Sequence, residues 1–214
     1  MVQAKVRQQY NQKAAVYDRR WSCYVASTLS FLKSWSAISP ADVVLDVACG
    51  TGEFERLLLS HHPEQQMVGV DISENMLREA RQKLPGAAPV SFRVASVTEL
   101  PLSDRCFDVV VCASSFHYFE KPTIALAEIK RVLKPGGRAI VLDWCRDYFI
   151  CQLCDFWLRL VDPAHRQCYT QAELHALLTA ASFEICRHTR FRFGVVWGLM
   201  VAEGVVTSNQ GSRN

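Results

Sequence analysis

Between residues 43 and 142 short β-branched apolar runs alternate with helix-forming stretches, and that alternation constrains the fold more than any other feature of the chain. Residues 43–47 form one such run; they enter a Gly-containing turn, and residues 53–60 follow with helix formers. Residues 67–70 repeat the strand signal up to Asp71, and Ser73 then stands as N-cap to a helix over 74–84. Residues 90–94, 107–112 and 138–142 are further strand candidates, with a helical stretch over 122–133 separating the last two. Strands alternating with helices predict a parallel sheet covered on both faces.

After Asp143 the pattern changes. Residues 148–161 are apolar and helical in pattern, Thr170 caps a helix over 171–181, and strand-like runs at 183–193 and 195–202 flank Gly194. So short a connection predicts a hairpin that adds antiparallel pairing at the sheet edge. Residues 1–35 read as two helices joined near Tyr17 and Asp18, lying over the sheet or its mouth.

The expected architecture is therefore α/β and Rossmann-like: a mostly parallel seven-stranded sheet, an antiparallel C-terminal edge hairpin, and helices on both faces. At 214 residues one domain over 1–206 is expected. It divides into an N-terminal helical lid (1–36), a binding core (43–143) and a cover (144–169), before a flexible polar tail (207–214).

Composition narrows the function classes. A net charge of +3 is too small to argue for nucleic acid, and no run approaches the roughly 18 apolar residues of a membrane span. The N-terminus lacks the apolar run of a signal peptide, so a cytoplasmic protein without integral membrane association is expected. Nine cysteines, many in apolar stretches, predict free thiols rather than a disulfide framework. Nothing in the sequence specifies an oligomeric state.

In open parallel sheets ligands bind beyond the carboxyl ends of the strands where strand order reverses, which directs attention to the turn Asp46-Val47-Ala48-Cys49-Gly50-Thr51-Gly52. Gly50 and Gly52 let the backbone take positive φ and approach a ligand closely. Asp71 ends the second strand about 20 residues on, where a carboxylate can accept hydrogen bonds from ribose hydroxyls. A dinucleotide site needs a third glycine three residues after the second, and Glu55 stands there. Glu53 and Glu55 also place two acidic groups in the first helical turn, where pyrophosphate would sit. A sulfonium nucleoside, positively charged and free of phosphate, suits those charges, so S-adenosylmethionine is favoured over NAD.

The segments VVLDVACGTGEF (43–54), VGVDISENML (68–77), ELPLSDRCFDVVVC (99–112), SFHYF (115–119) and EIKRVLKPGGRAIVLDW (128–144) resemble the class I S-adenosylmethionine-dependent methyltransferases. The likeness is to the small-molecule type grouped with the ubiquinone and menaquinone methyltransferases. It implies methyl transfer to a small-molecule acceptor. It also implies that Ala48, Gly50 and Gly52, in the turn that begins at Asp46, line the methionine portion of the cofactor. Asp71 would hold the ribose hydroxyls, Ile72 and Met76 would flank adenine, Ser96 and Val97 would meet its edge, and Ser114 would face the methionine end. AAVYDRRW (14–21) resembles the family's N-terminal lid, with Tyr17 closing over the cofactor. Ala48 replaces the family's common first glycine, and Ser96 stands where many members carry Asp.

Several residues admit two roles. His117 is either a general base or acceptor-positioning group, or a ring packed beside Phe116 and Tyr118. Cys151 and Cys154, with Cys145 and Cys168 nearby, suggest either packing thiols or a cysteine-assisted arsenite methyltransferase. Arg187, Arg190 and Arg192 alternate with apolar residues, as on a solvated sheet face; the competing reading is a non-catalytic S-adenosylmethionine- or RNA-binding module. Residues 144–169 concentrate Trp144, Tyr148, Phe149, Phe156, Trp157 and Tyr169, which predicts either a lining for an apolar or aromatic acceptor or an extension of the core.

Overall fold

The computed structural model describes residues 2–85, 89–162, 164–194 and 197–206. The tail expected over 207–214 lies outside the described residues. In chain order the elements are α1 (Val2–Ser36), β1 (Val44–Val47), α2 (Glu53–Leu59), β2 (Met67–Asp71), α3 (Glu74–Lys83), β3 (Val90–Val94) and β4 (Phe107–Ala113). A 3₁₀ turn (Phe116–Tyr118) follows, then α4 (Pro122–Val132), β5 (Leu133–Trp144), α5 (Phe149–Val161), α6 (Gln171–Ala180), β6 (Phe183–Phe193) and β7 (Trp197–Val206).

The strands form one seven-stranded sheet in the order β3-β2-β1-β4-β5-β7-β6. The first five pair in parallel, while β7 pairs antiparallel with both β5 and β6, as the alternation and the Gly194 turn predict. The second run of the hairpin is assigned from Trp197 to Val206 rather than 195–202; Val195 and Val196 lie outside the described residues. Strand order reverses between β1 and β4, so the topological switch falls at the turn after β1.

Alternate residues of the central strands feed two cores. Leu45, Val47, Val110 and Val141 face Leu126, Ile129, Leu174 and Leu178 of α4 and α6. Val44, Val109, Val111 and Ile140 face Phe54 and Leu58 of α2 and Leu32 of α1. Because both faces are covered, these strands read as continuous apolar runs instead of alternating ones. Local signals fix the helix starts: Met76 N–H donates to Ser73 Oγ at 3.2 Å, and Thr170 with Glu173 closes a capping box.

The N-terminal region departs from expectation, because α1 is a single helix of 35 residues, about 50 Å long, and not two. No Gly or Pro occurs before Pro40 to break it. Val6, Ala14, Tyr24, Thr28, Leu32 and Ser36 are its buried residues, the last four at a strict spacing of four, so buried positions along its length hold it to the domain.

α5 departs further. The residues it buries include Cys151 and Asp155, whereas Phe149, Phe156 and Trp157 are 70, 66 and 61% exposed. Tyr169 is buried in the core, and Trp144 is half-buried with its Nε1 donating to Tyr24 Oη at 2.8 Å. The aromatic side chains of α5 therefore neither line an acceptor pocket nor extend the core.

Candidate functional site

A cavity of about 410 Å³ opens at the carboxyl ends of β1, β2 and β4, beneath the N-terminal half of α1. That volume lies within the range of small-molecule and cofactor pockets, roughly 300–1,000 Å³. Its floor is the turn after β1, where Ala48, Gly50 and Gly52 all take positive φ (59°, 57° and 74°). Ser114, at the end of β4, also has positive φ, 54°. Left-handed backbone at Ala48 and Ser114 is costly for residues with a Cβ, and such strain collects at ligand sites. Gly52 is needed for a different reason: a Cβ there would lie 2.9 Å from the Ala80 Cβ, so the glycine lets α3 pack against the turn.

Asp71 is 8% exposed and holds the turn from the neighbouring strand. Its Oδ2 accepts from Gly50 N–H at 3.0 Å and its Oδ1 from Ser73 N–H at 2.8 Å. Burial raises its pKa; the Ser73 and Gly50 amides oppose that rise. A carboxylate oxygen has a second acceptor direction, so Asp71 can bind a diol from the cavity while still holding the turn. Ile72, Met76 and Val97 supply apolar walls, and Ser96 and Ser114 add hydroxyls. Ser96 Oγ is engaged by Gln3 Nε2 at 2.5 Å and by Thr98 N–H at 3.2 Å. Asp46 lines a smaller adjoining pocket that shares Tyr17, Ala48, Gly50 and Ser114 with the main cavity. Burial, followed by the charges of Glu55 and Asp71, raises its pKa.

α1 closes the site from above, with Gln3, Val6, Tyr10 and Tyr17 lining the cavity. Their spacings of three, four and seven place them on one helix face. Tyr10 was not singled out by sequence, although it stands seven residues before Tyr17 and so shares its face. The two rings lie 6.0 Å apart, and Tyr10 meets Tyr118 edge-on at 5.6 Å. Burial pushes the Tyr17 phenol up to about 12, so it is a neutral hydrogen-bonding group at ordinary pH. α1 is tied down beside the site: Ser73 Oγ donates to Asn11 Oδ1 at 2.6 Å, Thr51 Oγ1 donates to Asp18 Oδ1 at 2.6 Å, and Lys83 pairs with Asp18.

The acidic pair expected at the mouth is not there as charge. Glu53 faces Lys83 and Arg56, but Glu55 is fully buried beneath the turn with no hydrogen-bond partner on either carboxyl oxygen. Burial pushes its pKa up to about 8, so it is largely protonated at neutral pH. The side chain fills the space left by Gly69, where a Cβ would lie 2.6 Å from Glu55 Oε1. Glu55 thus distinguishes this turn from a dinucleotide site by its bulk under the sheet, not by repelling phosphate.

His117 is 3% exposed and does not line the cavity. Its Nδ1 lies 2.7 Å from Asp143 Oδ1, its N–H donates to Asp143 Oδ2 at 2.7 Å, and its ring stacks on Trp144. The ring locks the loop after β4 to the end of β5, and the packed alternative describes its surroundings better than a general base. Nor do Cys145, Cys151, Cys154 or Cys168 line the cavity. Burial pushes the thiols of Cys145, to about 12, and of Cys151 and Cys168 upward, leaving them poor ligands for a soft metalloid. Asp155, His165 and Cys168 do converge, but Asp155 is already satisfied by His165 at 2.8 Å, Cys168 N–H at 2.6 Å and Arg159 at 2.6 Å. A guanidinium in that position opposes a cation. Arg187 packs on the Trp35 ring and pairs with Glu203, Arg190 pairs with Asp147, and Arg192 lies over the Tyr148 ring, so each of the three has a partner within the chain.

Comparison with known proteins agrees with the geometry. Residues 45–141 match the methyltransferase domain family. The chain is 35% identical over 127 residues to a ubiquinone/menaquinone biosynthesis C-methyltransferase of Desulfotalea psychrophila, covering 59% of this chain and 48% of the relative. It is 34% identical over 116 residues to the 2-phytyl-1,4-naphtoquinone methyltransferase of Trichormus variabilis, covering 52% and 51%. The chain thus spans about half the length of these relatives. In fold it is similar to a Haloferax volcanii chain described as a methyltransferase and solved with the activator Trm112, with TM-score 0.81, 20% identity, and 93% of this chain and 98% of that one covered. Across residues 45–141, therefore, the chain is similar to methyltransferase domains, and to those of the ubiquinone and menaquinone C-methyltransferases among them.

Proposed function

We propose that this protein transfers the methyl group of S-adenosylmethionine to a carbon of a quinol-type small molecule. The observation that carries the reading is the cavity at the switch point, which sets the Asp71 carboxylate and the left-handed turn at Ala48 and Gly50 on one wall. The residues fit an adenosyl group: a diol acceptor at Asp71, apolar walls at Ile72, Met76 and Val97 for a base, and hydroxyls at Ser96 and Ser114. When bound, the cofactor supplies an electrophilic methyl group on a sulfonium centre. The chain's own part is binding, orientation and exclusion of water. Asp71 holds the sugar; Gly50, lacking a Cβ, lets the ligand lie against the turn; Tyr10 and Tyr17 roof the site. Tyr24 fixes the methionine end, since its hydroxyl lies 2.7 Å from Ser114 Oγ and receives Trp144 Nε1–H.

The acceptor class comes from the quinone acceptors named in the relatives, which match this chain across the binding core. In this reading α1 acts as the lid and 43–143 as the binding core, while the cavity lining includes no residue of the segment after β5. The test is turnover of radiolabelled cofactor with a short-chain 1,4-naphthoquinol lacking its ring methyl, with the product placed by mass spectrometry. A product one methyl group heavier, labelled on the ring carbon, is expected. Cofactor binding without transfer to any quinol would overturn the acceptor assignment and leave the cofactor assignment standing.

A further inference from the structure

Among the described residues only Glu55 keeps two buried side-chain oxygens without a hydrogen-bond partner. A buried carboxyl left in this state is costly, and its surroundings say what it does there. Gly69 pairs with Asp46 in parallel register, and the Glu55 carboxyl fills the space that a Cβ at Gly69 would need. Asp46 stands two residues after Val44, which packs with Phe54 and Leu58 of α2, so it points to that same face. The two carboxyls therefore lie on neighbouring positions beneath the turn.

Little around them offsets two negative charges. Glu53 of α2 is held by Arg56 and Lys83; Lys83 of α3, the cation that acts on Glu55, is also held by Asp18 and by the Thr51 carbonyl. Asp71 of β2 is bound to the Gly50 and Ser73 amides, the turn adds the Cys49 thiol, raised by burial, and Phe92 of β3 closes the space at Gly69. Burial raises both Asp46 and Glu55, so the pair retains protons.

Asp46 also opens onto the recess of about 70 Å³ that shares Ser114 with the main cavity, and Tyr24 and Thr28 of α1 face it there. Thr28 is 1% exposed and its hydroxyl has no partner, although a helical threonine can bond a carbonyl one turn back. The recess thus presents a carboxyl and a free hydroxyl beside Ser114, where the cofactor reading puts the methionine end. The ammonium of that end supplies a positive charge and three donors.

We infer that the cofactor's ammonium, docking at Asp46, displaces a proton from the Asp46–Glu55 pair, so that cofactor binding is coupled to proton release. The carboxyl O–H bond breaks, the proton passes to solvent, and the carboxylate left on Asp46 pairs with the ammonium. Glu55 lines neither cavity and acts through Asp46 as a positioning residue. The inference rests on the cofactor reading above and is independent of the acceptor. Since binding releases protons, affinity increases with pH until the free pair has lost its own, at about 8 for Glu55.

The experiment is isothermal titration of the full chain with S-adenosylhomocysteine, which carries the same amino-acid end, at pH 7 in phosphate and in imidazole buffer. The difference in heat between buffers counts the protons released. Wild type should release on the order of half a proton to one, and its affinity should rise several-fold from pH 6 to pH 7. Glu55→Gln keeps the shape without the second acid, so release should fall below about half of the wild-type value and affinity should vary less with pH. Asp46→Asn should abolish release and weaken binding about tenfold. Methylthioadenosine, which lacks the amino-acid end, should bind wild type and Glu55→Gln equally and release nothing, which also shows that the variant is folded. Binding of S-adenosylhomocysteine without proton release, equal release from Glu55→Gln, or equal release with methylthioadenosine would overturn the inference and leave the cofactor reading in place. Failure of wild type to bind either compound would remove the cofactor reading and the inference with it.

Discussion

At the residue scale, Asp71 links the turn to the ligand, and its two roles separate on mutation. Asp71→Ala removes the acceptor for a ribose diol and frees the Gly50 and Ser73 amides. Cofactor binding should weaken by about 1–3 kcal/mol, measured by calorimetry, and unchanged affinity would remove the site from this cavity. Gly50→Val puts a β-branched side chain at φ 57° in the ligand's path, so binding should vanish while far-ultraviolet circular dichroism changes little. Glu55 makes a prediction about pH. Its folded pKa of about 8 stands above the ~4.3 of an unfolded glutamic acid, so the folded state keeps a proton that the unfolded chain loses between those values. The stability it contributes is fully present below about pH 4 and is lost as pH rises through about 8. The melting temperature of Glu55→Gln relative to wild type should therefore climb from pH 5 to pH 8; a constant offset would show the carboxyl to be ionised throughout.

At the element scale, α1 and α5 show opposite relations to the domain. α1 is fastened across the cavity by Asn11 and Asp18, both polar contacts near its middle. Asn11→Ala should lower cofactor affinity through a looser roof while leaving the melting temperature almost unchanged, and faster amide exchange in residues 3–17 would show the opening. No effect on either affinity or exchange would mean that the helix sits independently of the ligand. The continuity of α1 follows from the absence of any breaker, a signal that outweighs the change of side-chain character at Tyr17 and Asp18. α5 has strong helical periodicity, yet periodicity specifies only that one face is apolar, not whether that face meets the core or the outside. Replacing Trp157 by Ala should accordingly cost within about 0.5 kcal/mol, as for other exposed positions, rather than the 3–5 of a core aromatic.

At the scale of the whole molecule, Arg138 joins parts that are far apart in sequence. From β5 its guanidinium donates to the carbonyls of Ser36 and Ala37 at the end of α1 and to Glu203 on β7. Arg138→Ala should lower stability by about 1.5–3 kcal/mol in denaturant titration, as expected for hydrogen bonds to a charged group, without changing cofactor affinity. A loss of affinity equal to the loss of stability would show that lid and sheet edge are coupled. Local rules were enough for the parallel sheet, its antiparallel edge hairpin and the turn from Asp46 to Gly52, while the order of the strands came from the structure. The strand runs, the caps at Ser73 and Thr170 and the glycines act over a few residues, and parallel βα units leave little choice of arrangement. That Ile72, Met76, Val97 and Ser114 would line the cavity was implied by the family resemblance and not by any local rule. What packing decided was the state of groups whose chemistry depends on depth: Glu55 protonated beneath Gly69, His117 locked to Asp143, the cysteine thiols raised by burial, and the aromatic face of α5 turned outward. A sequence specifies which side chains share a face, because that depends on backbone period alone. Whether the face meets water, ligand or core depends on elements that arrive from elsewhere in the chain, and so on the tertiary structure.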